Sequence, residues 1–268
     1  MLPIFMNRFF TYRNAEVHFT THGKGALVVL LHGFLEDISI WNGAKKYLST
    51  HYQVACIDLP GHGKTECMGY VHSMELMADV VLELMKHLKK RKCHLVGHSM
   101  GGYVALAFAE LYPDKISSLG LVCSNARADK SEKKKDRTKA IQLVKSKKKL
   151  FVEQAIPPLF YKELNNNHSR AIKKIKSIAH KTSIQGTIAA ILGMRDRFER
   201  EIVLRFAPYP VLILAGEKDQ IIPLEWLKEQ AEIAENCQLE IMEDVGHMPF
   251  YEAPLLFESK IKRFIDAT

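Results

Sequence analysis

The chain has 268 residues, of which 47% are hydrophobic, and this is enough apolar material for one sizeable core. Its formal net charge is +8. The excess is confined to residues 127–149, where eleven Lys or Arg stand against three Asp or Glu, and the rest of the chain is balanced. Because no aromatic residue interleaves with these lysines, we expect a solvated helix face and no nucleic-acid partner.

No segment approaches the roughly 18 to 20 consecutive apolar residues of a membrane-spanning helix, so we expect no membrane partner. The N-terminal apolar run, residues 2–5, is shorter than the ~7 to 15 apolar residues of a secretory signal. The cysteines lack a C-x-x-C spacing, which indicates neither a disulfide framework nor a zinc site: Cys56, Cys67, Cys93, Cys123 and Cys237. We therefore expect a cytoplasmic protein without a metal site, and the sequence leaves its oligomeric state open.

Short apolar runs and amphipathic helical patterns alternate through most of the chain. The runs predict strands at residues 9–12, 16–20, 26–31, 54–57, 93–96, 116–123, 210–215 and 238–242. The helical patterns cover residues 40–50, 73–90, 100–112, 224–235 and 254–266. This order predicts an α/β fold with a mainly parallel sheet and helices on both faces, in which the first two strands pair antiparallel.

The alternation stops between about residues 125 and 206. Apolar residues recur there at helical spacings, for example at Ile141, Val144, Ile188 and Ile191, and no strand pattern is evident. We interpret this interval as a helical cap, residues 125–206, inserted into a core domain formed by residues 1–124 and 207–268. Its place between two strands predicts that it lies over the edge of the sheet where the loops gather.

The segment Gly97-His98-Ser99-Met100-Gly101 matches G-x-S-x-G between a predicted strand and a predicted helix. That context is typical of a nucleophile elbow, a sharp turn that projects a reactive serine above the sheet. We predict that Ser99 is a nucleophile. The alternative is that Ser99 only caps the following helix, which is a frequent role of serine.

An acid and a histidine follow two later strands, in the order Ser99, Asp219, His247. Because parallel strands bring their carboxyl ends to one edge, these residues are expected beside Ser99, as a hydrolytic triad requires. His247 is then the general base, since its unperturbed pKa is near 6.5, and Asp219 orients it. The sequence therefore predicts the acyl-transfer chemistry of a hydrolytic triad.

Rival residues exist for both roles. His32 and His62 lie in loops after strands and are alternative bases, whereas His98 adjoins the nucleophile on a sharp turn and is expected to be structural. Glu217 and Asp244 are alternative acids, and Glu217 is only two residues from Asp219. The sequence alone leaves the choice of acid open.

Backbone donors for an oxyanion are predicted from two loops. In such folds one N–H comes from the residue after the nucleophile and the other from the loop after an early strand. Here these are Met100 and Phe34, the latter within His32-Gly33-Phe34.

These signature segments together resemble the α/β-hydrolase superfamily, in particular its small carboxylesterases and enol-lactone hydrolases; they are residues 32–34, 58–63, 97–102, 216–219 and 246–249. The resemblance implies a lid-type cap and no cofactor. The menaquinone-pathway synthase is also similar, but its elbow usually has tyrosine where this chain has His98. Haloalkane dehalogenases are similar as well, but they need aspartate where Ser99 stands.

The sequence thus predicts a serine hydrolase that cleaves an ester or lactone of a small molecule through an acyl-enzyme. Carbon–carbon bond hydrolysis, lyase or synthase chemistry, cofactor-free perhydrolysis and ligand binding without turnover remain alternatives on the same residues.

The cap residues are expected to select the substrate. Candidate lining side chains are Phe160, Tyr161, Met194 and Phe198. Candidate carboxylate-binding side chains are Arg127, Arg195 and Arg197. A mostly apolar pocket favours neutral acyl groups and a buried arginine favours acidic ones; we expect the apolar version.

Overall fold

Eight strands form one twisted sheet in the computed structural model, which describes residues 8–164 and 168–268. The strands are β1 Arg8–Tyr12, β2 Ala15–His22, β3 Leu27–Leu31, β4 Gln53–Ile57, β5 Cys93–His98, β6 Ile116–Val122, β7 Val211–Gly216 and β8 Cys237–Met242. Their order across the sheet is β1-β2-β4-β3-β5-β6-β7-β8. Strand β2 pairs antiparallel with β1 and β4, and all other neighbours pair parallel. The predicted α/β-hydrolase fold is confirmed.

The helices connect these strands and pack on both faces of the sheet. They are α1 Asn42–Leu48, α2 Met74–His87, α3 Met100–Leu111, α4 Ser131–Ala155, α5 Ser169–Lys181, α6 Ile184–Arg195, α7 Glu201–Arg205, α8 Leu224–Ile233, α9 Pro249–Glu252 and α10 Pro254–Asp266. Each helix predicted outside the interval 125–206 is present, with ends that differ by a few residues from the sequence prediction.

Strand β3 shows why the chain forms a sheet covered on both sides. All five of its residues are buried, as expected of a parallel strand between two helical layers. Leu27, Val29 and Leu31 belong to the hydrophobic cluster that contains helices α2 and α3. Val28 and Leu30 belong to the second cluster, which contains helices α1 and α10. The alternation follows from the two-residue period of a strand, so the run of apolar residues fills two cores at once.

Helices α4 to α7 lie between β6 and β7. The described residues of this interval, 123–164 and 168–210, contain no strand, in agreement with the sequence pattern. Ile141 and Val144 of α4 join the first hydrophobic cluster, whereas Val152 of α4 and Ile175 of α5 join the second. The helical segment is therefore anchored on both cores. Among the helices of residues 8–164 and 168–268, none combines the length and apolar composition required to cross a membrane.

Candidate active site

The turn between β5 and α3 holds Ser99 in a rare backbone conformation. Its φ of 50° and ψ of −114° lie outside the regions that a non-glycine residue normally adopts. The Ser99 N–H donates to the Val122 carbonyl at 3.0 Å, and Ser124 Oγ donates to the Ser99 carbonyl at 2.7 Å. Strand β6 and the residues that follow it therefore hold the strained turn in place.

Glycines flank this turn because the backbone is too close for a side chain. A Cβ on Gly97 would lie 2.2 Å from the Gly101 carbonyl oxygen. A Cβ on Gly101 would lie 2.4 Å from the Leu31 carbonyl oxygen at the end of β3. The second contact shows that the start of α3 packs directly against the loop after β3, where Phe34 lies.

The Ser99 side chain is half-buried and lines a cavity of about 420 Å³ that His247 also lines. Although Ser99 occupies the residue before α3, its side chain forms no capping hydrogen bond with any part of the chain that the structure describes. The capping alternative therefore gains no support from the geometry, and the hydroxyl group is available to a molecule in the cavity.

Asp219 and His247 are brought together by the ends of β7 and β8. The His247 Nδ1 lies 2.7 Å from Asp219 Oδ2, and both side chains are at most 2% exposed. Asp219 Oδ1 accepts the N–H groups of Ile221 at 2.7 Å and Ile222 at 3.1 Å. With Nδ1–H donated to the carboxylate, His247 Nε2 is left as a proton acceptor.

The environment of His247 sets its basicity. Burial alone lowers the pKa of this imidazole, but the charge and hydrogen bond of Asp219, with added attraction from Glu36 and Glu252, outweigh burial and raise the pKa above 6.5. The loop that carries His247 is held by hydrogen bonds to its backbone. The Glu252 carboxylate accepts the N–H groups of Gly246 and Met248. The Leu159 carbonyl accepts the His247 N–H at 2.8 Å.

The rival acids face solvent. Glu217 is exposed, accepts the Asp244 N–H at 3.2 Å and lies 3.4 Å from the Lys218 amine. Asp244 is exposed as well. The structure therefore brings Asp219, and neither alternative, to His247.

The rival bases are engaged elsewhere. His32 Nδ1 bonds the Gly33 carbonyl at 2.7 Å, and His32 Nε2 accepts the Leu59 N–H at 2.9 Å. Burial, with the nearby His32, lowers the pKa of His62 to about 3. Such a weakly basic ring is a poor proton acceptor at neutral pH.

His98 and Glu36 form a buried pair that sequence reasoning missed. His98 Nδ1 lies 3.0 Å from Glu36 Oε2, and His98 Nε2 donates to the His247 carbonyl at 2.8 Å. Glu36 Oε2 also accepts the Gly33 N–H at 2.6 Å. This pair joins the loop after β3, the turn at Ser99 and the loop that carries His247. It supports the structural role expected of His98, but residues 36 and 98 are too far apart in sequence for any local pattern to reveal the contact.

The two oxyanion candidates lie in the loop after β3 and at the start of α3. Phe34 lines the cavity, and Leu35 next to it adopts a left-handed φ of 62°. Met100 is fully buried as the first residue of α3.

The wall of the cavity differs from the sequence prediction. Met194 and Arg197 line it, but the described lining residues do not include Phe160, Tyr161, Phe198 or Arg127. The side chains that sequence reasoning missed include Tyr103, Asn125, Asp129, Arg137 and Trp226.

The predicted lining side chains that do not line the cavity either contact other residues or face solvent. Phe160 is buried in the second hydrophobic cluster, and Tyr161 donates its hydroxyl to Glu163. Phe198 is 68% exposed. Arg127 pairs with Glu201 and Glu229, both at 2.6 Å, and Arg195 binds its neighbour Asp196 through two nitrogens.

A metal site is a poor description of the same region. Ligand atoms of Cys123, Asp219 and His247 lie within 4.8 Å of one another. However, burial raises the pKa of the Cys123 thiol well above its ordinary value, whereas metals bind the thiolate. The histidine and aspartate atoms are already bonded to each other. The donor set therefore fits a hydrogen-bonded pair beside a protonated thiol better than it fits a metal.

Comparison with known proteins places this geometry in context. A thermophilic esterase from Thermogutta terrifontis, solved with malate bound, is 32% identical and superimposes with a TM-score of 0.93 over 98% of each chain. Human monoacylglycerol lipase ABHD6 is 26% identical over 87% of this chain and 73% of its own length. The dihydrolipoyllysine-residue acetyltransferase component of the acetoin cleaving system from Pseudomonas putida is 29% identical over 85% of this chain, which spans 60% of that protein.

The model of the alpha/beta hydrolase fold family matches residues 26–254, a range that includes Ser99, Asp219 and His247. With the sheet order, the strained serine turn and the esterase relative, this match shows that the chain belongs to the α/β-hydrolase family.

Proposed function

We propose that this protein is a serine hydrolase that cleaves a carboxylic ester or lactone of a small molecule. One observation carries the proposal: Ser99, held in a strained turn, shares a cavity wall with His247, whose ring is bonded at 2.7 Å to a buried Asp219. The esterase from T. terrifontis and the human monoacylglycerol lipase support ester chemistry by relationship.

In the acylation step, Ser99 Oγ attacks the carbonyl carbon of the ester while its proton moves to His247 Nε2. Asp219 stabilises the resulting imidazolium. The carbonyl oxygen becomes an oxyanion and accepts the N–H groups of Phe34 and Met100; one such donor typically contributes about 10² to 10³ in kcat. The proton on Nε2 then passes to the oxygen of the departing alcohol, the C–O bond breaks, and the acyl group stays on Ser99.

Deacylation repeats these steps with water. His247 Nε2 takes a proton from water, and the hydroxide attacks the acyl carbon. The oxyanion collapses, Ser99 leaves as an alkoxide that recovers its proton from His247, and a carboxylic acid is released. In a lactone the leaving alcohol is part of the same molecule, so one hydroxy acid is formed.

We further propose that residues 125–206 act as a cap that selects the substrate. The cavity wall supports this role, because Lys130, Arg137, Ile156, Met194 and Arg197 of this segment lie around the same space as Ser99. A cytoplasmic location and small-molecule substrates without other partners are part of the same proposal.

The first test is labelling with a fluorophosphonate, which reacts covalently with an activated serine. We expect the wild-type protein and Ser146→Ala to be labelled, because Ser146 lies on the exposed surface of α4. We expect Ser99→Ala to be unlabelled and inactive on 4-nitrophenyl hexanoate and on a panel of lactones. Labelling or turnover that persists in folded Ser99→Ala would overturn the proposal.

A further inference from the structure

Two arginines share a single carboxylate at the wall of the cavity. Asp129 Oδ2 lies 2.8 Å from Arg137 Nε, and Asp129 Oδ1 lies 2.7 Å from Arg197 Nη1. The side chains of Asp129 and Arg197 are each only 5% exposed. All three residues line the cavity that contains Ser99 and His247. Since both guanidinium groups are always charged, the group carries a net charge of one positive unit.

Arg197 is the fixed member of the group. Besides Asp129, its Nη1 donates to the Met194 carbonyl and its Nη2 donates to the Arg127 carbonyl, each at 2.7 Å. Its guanidinium lies 4.0 Å from the centre of the Tyr103 ring. These contacts use three of its five N–H donors and hold Arg197 against the wall. Its Nε is buried and has no hydrogen-bond partner among the described residues.

Arg137 is the open member of the group. Its side chain is 17% exposed, and among the residues that the structure describes its Nη1 contacts only Met194 Sδ, at 3.5 Å. A thioether is a weak acceptor. Within the described part of the chain, Asp129 is the one carboxylate that pairs with Arg137, and Asp129 is shared. Arg137 therefore lines the cavity with a guanidinium whose one carboxylate partner is shared with Arg197.

The arginines outside the cavity are satisfied differently. Arg127 has two carboxylates to itself, Glu201 and Glu229, and Arg195 has Asp196 bound through two nitrogens. Only at Asp129 do two guanidinium groups compete for one acid among the residues that the structure describes. A second carboxylate at this place would complete the pairing, and none of the described residues supplies one in ion-pair contact with Arg137.

The acids and cations of the cavity wall balance in number, but they are not all paired with one another. Lys130 and Lys133 stand against Glu132 and Asp136, and Arg137 and Arg197 stand against Asp129 and Glu36. Glu36 is buried and accepts from Gly33 and His98, and within the described residues no ion pair joins it to either arginine. The two arginines therefore have only the shared Asp129 as a carboxylate partner on this wall.

We propose that Arg137 binds a carboxylate of the substrate, so that the enzyme prefers esters or lactones that carry a free carboxylate. The inference rests on the proposed function, because it assumes that Ser99 attacks a molecule in this cavity. A guanidinium presents paired N–H donors that match a carboxylate, and partial burial strengthens the interaction relative to water. The specificity is the opposite of the neutral, apolar preference expected from the sequence.

Matched pairs of esters test the proposal. Mono-4-nitrophenyl adipate and 4-nitrophenyl hexanoate have the same six-carbon acyl chain, but only the first ends in a carboxylate. Phenyl acetate and 4-acetoxybenzoate make the same comparison on the alcohol side. The variants are Arg137→Gln and Arg137→Lys, and the control is Arg195→Gln, which removes an arginine of the same helical segment outside the cavity wall.

We expect Arg137→Gln to lower kcat/KM for at least one carboxylate-bearing ester by about 10- to 100-fold, mainly through KM, because a hydrogen bond to a charged group is lost. The neutral partner ester should change by less than about 2-fold, and Arg137→Lys should recover part of the selectivity. Arg195→Gln should alter neither ester. An equal loss on charged and neutral esters, or no loss on either, would overturn the proposal.

Binding without turnover separates this inference from the proposed function. Adipate is titrated by calorimetry into the wild-type protein, Arg137→Gln and Arg195→Gln, and thermal melting checks that each variant is folded. We expect binding that Arg137→Gln abolishes and Arg195→Gln keeps. Absence of binding to the wild type, or equal binding to Arg137→Gln, would refute the carboxylate site even in an active esterase. If no ester is hydrolysed but adipate binds through Arg137, the proposed hydrolysis fails and the site stands.

Discussion

Replacing Glu36 by glutamine tests how the buried pair beneath the cavity supports catalysis. Glu36 Oε2 accepts two hydrogen bonds, from Gly33 at 2.6 Å and from the His98 ring at 3.0 Å. His98 in turn donates to the carbonyl of His247. Glutamine has nearly the same shape and keeps one acceptor oxygen, so Glu36→Gln removes the charge while the geometry can persist.

The expected loss of folding stability in Glu36→Gln follows from these two hydrogen bonds. A charge-assisted bond is roughly twice as strong as a neutral one, so each loses about 1 kcal/mol and the variant loses about 2 kcal/mol of stability at neutral pH. For a chain of this size that corresponds to a fall in Tm of about 4 to 8 °C. His98, Gly33 and His32 together outweigh burial and lower the pKa of Glu36, so its charge stabilises the fold above the pKa of the unfolded state. That stabilisation is lost as the pH falls through the lowered pKa, and the difference between variant and wild type should shrink there.

The substitution is also expected to shift the pH dependence of kcat/KM in one direction. Glu36 is one of the charges that raise the pKa of His247, so a neutral residue 36 lowers that pKa. The acid limb of the kcat/KM profile reports the free enzyme's base, and it should move to lower pH in Glu36→Gln. Glu217→Gln is the matched control, because Glu217 is exposed and does not contact His247 in the described structure.

The assay is hydrolysis of 4-nitrophenyl hexanoate between about pH 5 and 9, with thermal melts extended down to about pH 3, below the ordinary pKa of a glutamate. A folded Glu36→Gln whose acid limb and Tm coincide with those of the wild type would refute the role assigned to the pair. A shift of the same size in Glu217→Gln would refute the assignment to Glu36 in particular.

Three further changes give distinct outcomes. Asp219→Asn is expected to lower kcat by up to about 10⁴-fold with little change in KM, because the amide no longer fixes the His247 tautomer; near wild-type kcat on 4-nitrophenyl hexanoate would contradict this. Gly97→Ala places a Cβ 2.2 Å from the Gly101 carbonyl oxygen, so urea denaturation should show a loss of about 1 to 3 kcal/mol or more, and an unchanged midpoint would count against the close packing. Ser124→Ala removes the bond to the Ser99 carbonyl and should cost about 1 kcal/mol of stability in the same assay; full stability would show that the strained turn does not depend on it.

The fold was predictable because its signals are local. Strand β3 is one uninterrupted apolar run, and the strained turn at Ser99 is indicated by only five residues, with a strand before and a helix after. Asp219 and His247 were predictable for a related reason, since parallel strands bring every carboxyl end to one edge of the sheet. Those inferences use topology and chain order, which sequence patterns carry.

The cavity wall was less predictable because it depends on how the connections between the cap helices pack. Phe160 sits in the second hydrophobic cluster, and Phe198 is exposed, although both lie in the predicted cap. Their chemical type fits a pocket wall, but both lie between α-helices, where no helical repeat indicates which residues turn toward Ser99. Arg137 was missed for the opposite reason, because it belongs to a charged run that is typical of a solvated surface.

The charge at Arg137 should persist over the whole pH range in which the enzyme can work. Burial raises the pKa of Asp129, but Arg137 and Arg197 outweigh burial and lower it, so this carboxylate stays ionised at neutral pH and below. Arginine does not deprotonate in this range. The group formed by Asp129, Arg137 and Arg197 therefore keeps one net positive charge while His247 titrates, and a preference for carboxylate-bearing esters should weaken only where the substrate's own carboxyl group becomes protonated. A preference that instead followed the titration of His247 would mean that the base, and not Arg137, recognises the anion.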